Sequence, residues 1–152
     1  MTKIPLSKLN VISVNPTSSI SKENPCYPCS LCCRHIALEI DAPEDARDFS
    51  ELFWFLYHQG IKVYIDDEGD WMLEVTTRCN NLTDKNECGI HEHAPRTCKE
   101  YDISECERTI QEPYWEEMFA SPKDLVNYLQ KHHKKILQEL IKNKEIPPFL
   151  LE

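Results

Sequence analysis

Eight cysteines in a chain of 152 residues are the side chains here best able to do chemistry. Four stand close together, as Cys26-Tyr-Pro-Cys29-Ser-Leu-Cys32-Cys33. Four more follow at Cys79, Cys88, Cys98 and Cys106, with eight, nine and seven residues between them. Cysteine used as a small core hydrophobe would scatter along the chain instead of concentrating between 26 and 106. Thiolates are preferred ligands of zinc, Cu(I) and iron–sulfur clusters, and two residues between cysteines let both sulfurs converge on one centre. Cys26, Cys29 and Cys32 also match the first three ligands of a bacterial-ferredoxin-type [4Fe–4S] site, whose fourth ligand would come from the distal group. Against that, none of the distal four is followed by proline. A zinc ribbon would show a second Cys-x-x-Cys knuckle, and the distal group has none. The pattern specifies metal more sharply than it specifies which metal. All eight cysteines are candidate ligands, for zinc or for iron, and a [4Fe–4S] cluster stays open.

The residues around the sulfurs refine this. Basic side chains crowd them: Arg34, Arg78, Arg96, Lys99 and Arg108 all stand within two residues of a cysteine. Nearby cations lower thiol pKa values and compensate a negatively charged site, although ordinary surface charges would look the same in sequence. His91 and His93 follow Cys88 closely enough to replace a cysteine in a Cys3His zinc site, while exposed histidines are the blander alternative. For the vicinal pair, an extended segment sends successive side chains to opposite sides. On that premise Cys32 joins Cys26 and Cys29 at one centre, and Cys33 faces the distal cysteines, which either ligate a second ion or only surround the first. A disulfide between such neighbours would be badly strained.

Composition removes several other readings. A net charge of −9 argues against nucleic acid and against an anionic membrane surface, because both are gripped by clustered Lys and Arg. Three glycines leave little for a Gly-rich phosphate cradle or a methyl-donor site. No stretch approaches the ~20 apolar residues of a membrane span. Met1 to Pro25 mixes Lys, Ser, Asn and Pro and lacks the apolar run of a signal peptide, which points to a cytoplasmic protein whose thiols stay reduced and bind metal. Four disulfides in a secreted domain are the competing account. Cys29-Ser-Leu-Cys32 is poorly set for a thioredoxin-type redox pair, because Cys26, Cys33 and two prolines crowd it. Asp66–Asp70 lacks the twelve-residue pattern of a calcium loop. No catalytic constellation is identifiable.

The elements that must hold these sulfurs are partly legible. Residues 1–23 read as a polar leader, and 24–152 as a cysteine-cluster metal-binding domain. Ile36 to Ile40 alternates like a short strand. Asp41 and Pro43 suggest a helix start, after which Phe49, Leu52, Phe53, Leu56 and Tyr57 fall at helical spacing until Gly60. Ile61, Val63 and Ile65, a turn at Asp66–Asp70, and then Trp71, Leu73 and Val75 spell a β-hairpin. From Arg78 to Arg108 no periodicity is visible. A stretch that long without regular structure needs something to hold it, and metal ligation would supply that. A last helix over about 121–144 opens on Ser121, Pro122 and Asp124 and carries Leu125, Leu129, Ile136, Leu137 and Leu140 as its stripe. Trp54 and Trp71 read as core, and His132 and His133 as solvated. The sum is a small single α+β domain, in which a β-hairpin and two main helices surround a cysteine-built metal centre.

The run Asn24-Pro25-Cys26-x-x-Cys29-x-x-Cys32-Cys33, followed by Cys79, Cys88-Gly-Ile90, Cys98-Lys-Glu-Tyr101 and Cys106, resembles the YkgJ-type cysteine-cluster family (CxxCxxCC) over about residues 24–108. Leu31 stands where that pattern usually has Gly, His91 where it has Tyr, and Ala94-Pro95-Arg96 replaces an Arg-Pro step. The resemblance implies a metal-chelating domain with zinc or iron as its expected occupant. A longer relative of this type methylates protein lysines, a role for which this chain shows no methyl-donor site. An iron–sulfur redox or transferase module acting with a protein partner is the alternative from a different functional class.

Overall fold

The computed structural model describes residues 30–100 and 113–152. The leader, Cys26, Cys29, Cys106 and Arg108 lie outside the described residues. In chain order the elements are β1 (His35–Ile40), α1 (Ala46–Leu56), β2 (Ile61–Asp66), β3 (Trp71–Thr76), α2 (Arg96–Lys99), β4 (Trp115–Phe119), α3 (Pro122–His132) and α4 (Lys134–Lys142). Short 3-10 turns cover Leu31–Cys33, His91–His93 and Pro148–Leu150. The strands form one antiparallel sheet in the order β1-β3-β2-β4, so the protein is α+β.

The hairpin stands where its alternation places it. Asp66 makes the turn: its Oδ1 accepts from the amides of Glu68 and Asp70 at 3.0 and 2.9 Å. Gly69 closes that turn at φ +92, a left-handed backbone that side chains with a Cβ resist. Register then sorts the faces. Leu38, Leu73 and Val63 pair across three strands, Val63 pairs on to Phe119, and Ile40 and Ile65 flank Trp71. This face meets α1, α3 and α4 in a core of Phe49, Phe53, Val63, Trp71, Phe119, Leu125, Leu129 and Leu140. Trp71 stacks on Phe119 at 5.6 Å and meets Phe49 edge-on at 6.2 Å. On the opposite face Lys62 and Glu74 are cross-strand partners with Nζ and Oε1 2.8 Å apart, which compensates a Glu74 that is only 5% exposed.

Four expectations need correction. Helix α1 begins at Ala46, because Asp45 is the cap: its carboxylate accepts from the amides of Arg47 and Asp48 while Asp48 reaches back to Asp45. Trp54 is 60% exposed on the outer side of α1, opposite Phe49, Leu52, Phe53 and Leu56. The final helix is two helices. It opens as expected, with Ser121 and Asp124 capping one another and Pro122 inside the first turn, but His133 takes φ −135 and ψ 50 and ends α3. Its ring is half-buried at the junction, 5.3 Å from Phe49 and 5.5 Å from Tyr128, so it is not simply solvated. Last, β4 has no counterpart in the sequence reading: Trp115-Glu-Glu-Met-Phe alternates poorly, and its pairing with β2 shifts register at Ile65/Asp66. Helices and sheet therefore enclose an apolar core, and the described segments that carry Cys33, Cys79 and Cys88 sit at one end of the sheet.

Candidate metal centre

That end is where β1 begins and β3 finishes. Ser30, buried and left-handed at φ 49, turns the chain into the 3-10 turn Leu31–Cys33. The turn is closed by Cys33 N–H to the Ser30 carbonyl at 3.1 Å and by Arg34 N–H to the Leu31 carbonyl at 2.8 Å. The β1–β3 ladder then continues past both strands. Thr77 N–H donates to the Arg34 carbonyl at 2.9 Å, and Cys79 N–H to the Cys33 carbonyl at 2.8 Å. Two cysteines 46 positions apart in sequence are thus joined by a direct backbone hydrogen bond just past the sheet.

The distal loop folds Cys88 back toward Cys79. Leu82 N–H donates to the Cys79 carbonyl at 3.1 Å, and Leu82, buried at 4% exposure, forms an antiparallel bridge with Cys88. Gly89 N–H donates to the Asn81 carbonyl at 2.8 Å. A Cβ on Gly89 would meet that same oxygen at 3.2 Å, which explains a glycine here. Thr83 and Glu87 close the loop tip, with Asn86 at φ 60. Cys98 lies within α2, whose Lys99 Nζ donates to the Glu92 carbonyl at 2.7 Å and ties the helix to the preceding turn.

Arg34 joins the two regions. Its Nε donates to Ser30 Oγ at 3.2 Å and its Nη2 to Asn86 Oδ1 at 2.6 Å. The guanidinium thus spans from the residue after Cys33 to the residue two before Cys88. Sequence reasoning treated Arg34 as a charge near sulfur and missed Ser30 and Asn86. The one available signal was Asn86 in a polar turn, since asparagine tolerates the left-handed region. Arg78 likewise donates to the Thr83 carbonyl at 3.2 Å, Arg96 pairs with Glu100 at 3.6 Å, and His91 and His93 are exposed.

The vicinal pair departs from the extended geometry expected of it. A 3-10 turn advances about 120° per residue, so Cys32 and Cys33 point neither together nor oppositely, and their side chains are hydrogen-bonded. Cys33, Cys79, Cys88 and Cys98 are thiols, not disulfides. Burial pushes the Cys33 thiol pKa up, and repulsion from Cys79 adds to it; the Cys32 hydrogen bond opposes this, and Cys88 and Cys98 raise it further. The Cys33 sulfur is therefore within electrostatic reach of all three described distal cysteines. Among the described residues, no three Cys, His, Asp or Glu side chains are already set to hold an ion. The donor chemistry nonetheless fits a soft cation: a half-buried thiol, three neighbouring thiols, and backbone bonds that fix two of those neighbours relative to it.

Fold and site together define a small α+β protein in which, among the described residues, Cys33, Cys79 and Cys88 are brought together at one sheet end. Residues 25–124 match the family model CxxCxxCC, described as a "putative zinc- or iron-chelating domain", and the chain belongs to that family. No curated protein and no solved structure matches the chain. No helix among the described residues is long and apolar enough to cross a membrane.

Proposed function

We propose that this protein chelates zinc or iron through its cysteine thiolates in a reducing, cytoplasm-like compartment, with Cys26, Cys29, Cys32, Cys33, Cys79, Cys88, Cys98 and Cys106 as the ligand pool. The observation that carries the reading is the backbone bonding that brings Cys79 beside the half-buried Cys33 and folds Cys88 back toward them. A soft cation supplies the positive charge that lets these sulfurs ionise together, and each thiol releases its proton to solvent on binding. The surrounding residues contribute position. The Cys79–Cys33 backbone bond beyond the β1–β3 sheet joins these two, and the Leu82 bridge holds Cys88.

The test is elemental analysis of reduced protein prepared without affinity-tag metals, followed by chelation. Bound zinc or iron is expected, and its removal should expose titratable thiols and lower the melting temperature, because ligand binding to the folded state stabilises it. Metal-free native protein with eight titratable thiols and an unchanged melting temperature contradicts the proposal. Colour separates the ions, since an anaerobically purified iron–sulfur protein is brown and a zinc protein is colourless.

A further inference from the structure

Eight thiols are more than one four-coordinate ion needs, so the question is which of them act together. We infer that Cys33, Cys79 and Cys88 are ligands of one soft-metal centre, and that Cys98 completes it. This rests on the chelating function proposed above and adds a grouping that the family description does not give.

Three independent tethers bring the first three together. The Cys79 amide donates to the Cys33 carbonyl at 2.8 Å, which joins the two cysteine backbones directly just beyond the β1–β3 pairing. The turn from Cys79 to Leu82 and the Leu82–Cys88 bridge return the chain to the same place nine residues later. Arg34, adjacent to Cys33, reaches Asn86 beside Cys88. Any one of these would leave a sulfur free to swing away; jointly they hold three cysteine backbones in one knot. Cys98 is the remaining described distal cysteine, and its short helix is tied back by Lys99 Nζ to the carbonyl of Glu92, four residues past Cys88, at 2.7 Å. Four thiolates are the full complement of a structural zinc site.

The described side chains do not yet surround an ion, so binding must draw them inward. The parts that need to adjust are side-chain rotamers and the short α2 segment, while the ladder and the bridge stay as they are. Each Cys S–H loses its proton to water as its sulfur forms a bond to the ion, with no change in oxidation state. Cys32 lies outside this centre in the inference, despite being next in sequence to Cys33. None of the three backbone and side-chain tethers runs through it, and its side chain hydrogen-bonds to that of Cys33.

The experiment is thiol footprinting of the reduced, metal-stripped full chain during stepwise addition of zinc ion, read by alkylation and fragment mass spectrometry. Cys33, Cys79, Cys88 and Cys98 should lose labelling together, at the same zinc ratio. Protection of Cys33 in a different step from Cys79 and Cys88 would overturn the grouping while leaving chelation intact. Absence of protection at any cysteine would overturn chelation itself. Ion counts on variants give a second readout that does not depend on labelling chemistry. Cys33→Ser and Cys88→Ser should each lose the same ion, and the double variant should lose no more than either single one. Additive loss in the double variant would place the two cysteines in separate centres. Helical circular dichroism confirms that each variant compared is folded.

Discussion

At the scale of single residues, the informative side chains are those whose role sequence could only half describe. Arg34 sits beside a cysteine, as a counter-charge would, yet its guanidinium is used for its shape, forking between Ser30 and Asn86. Lysine carries the same charge without the planar fork. Arg34→Lys should therefore loosen the distal loop, costing roughly 1–3 kcal/mol locally, and Cys88 in metal-free protein should be alkylated faster. An unchanged rate would show that charge alone matters there. Cys33 gives a second expectation. Its pKa is raised in the folded, metal-free state, so the folded form binds more protons than the unfolded form once pH exceeds the ordinary thiol range, ~8.5. Stability is then fully present below that pH and falls as pH rises through the raised value. Melting curves of metal-free protein across alkaline pH should show this fall, and Cys33→Ser should flatten it. The eight cysteines and their spacing were legible from sequence. That Cys33 turns toward the distal cysteines was expected; that Cys79 is the one bonded to it was not, because that bond joins residues far apart in the chain.

At the scale of elements, the sequence was most readable where local chemistry decides. The Asp66–Asp70 turn and the Ser121–Pro122–Asp124 cap need only their own neighbours, and both appear as expected. The break at His133 is different in kind. Leu125 and Leu129 before it and Leu137 and Leu140 after it also fit one continuous stripe, and neither glycine nor proline announces a stop. What decides is tertiary: α4 must turn so that Leu137 and Leu140 reach the core while His133 packs on Phe49 and Tyr128. For the same reason β4 escaped notice, since Phe119 earns its place by pairing with Val63 and stacking on Trp71. Leu129 is fully buried in this core, away from the cysteine loops. Leu129→Ala should cost roughly 2–5 kcal/mol of stability, read by denaturant unfolding, with the metal content of the folded variant unchanged. Metal loss from a variant that remains folded would mean the site extends into the helical layer.

At the scale of the whole molecule, the separation between apolar core and thiol loops changes what metal removal should do. A zinc finger without its ion has no core to fall back on. Here the sheet face and three helices bury Phe49, Phe53, Phe119, Leu125 and Leu140 without using a single described cysteine. The melting temperature should drop on chelation, but the helical signal of the metal-free protein should persist at room temperature. The ladder contact between Cys33 and Cys79 carries this one step further. Those two residues become neighbours only after β1 and β3 have zipped together over six paired positions. On the proposed reading the sheet needs no ion to form, so removal and replacement of an ion should leave the β1–β3 pairing in place, which amide exchange of β1 and β3 would show. The frame of the site is thus separate from its grip: backbone pairing sets the cysteines near one another, and closing the sulfurs on an ion is a further step.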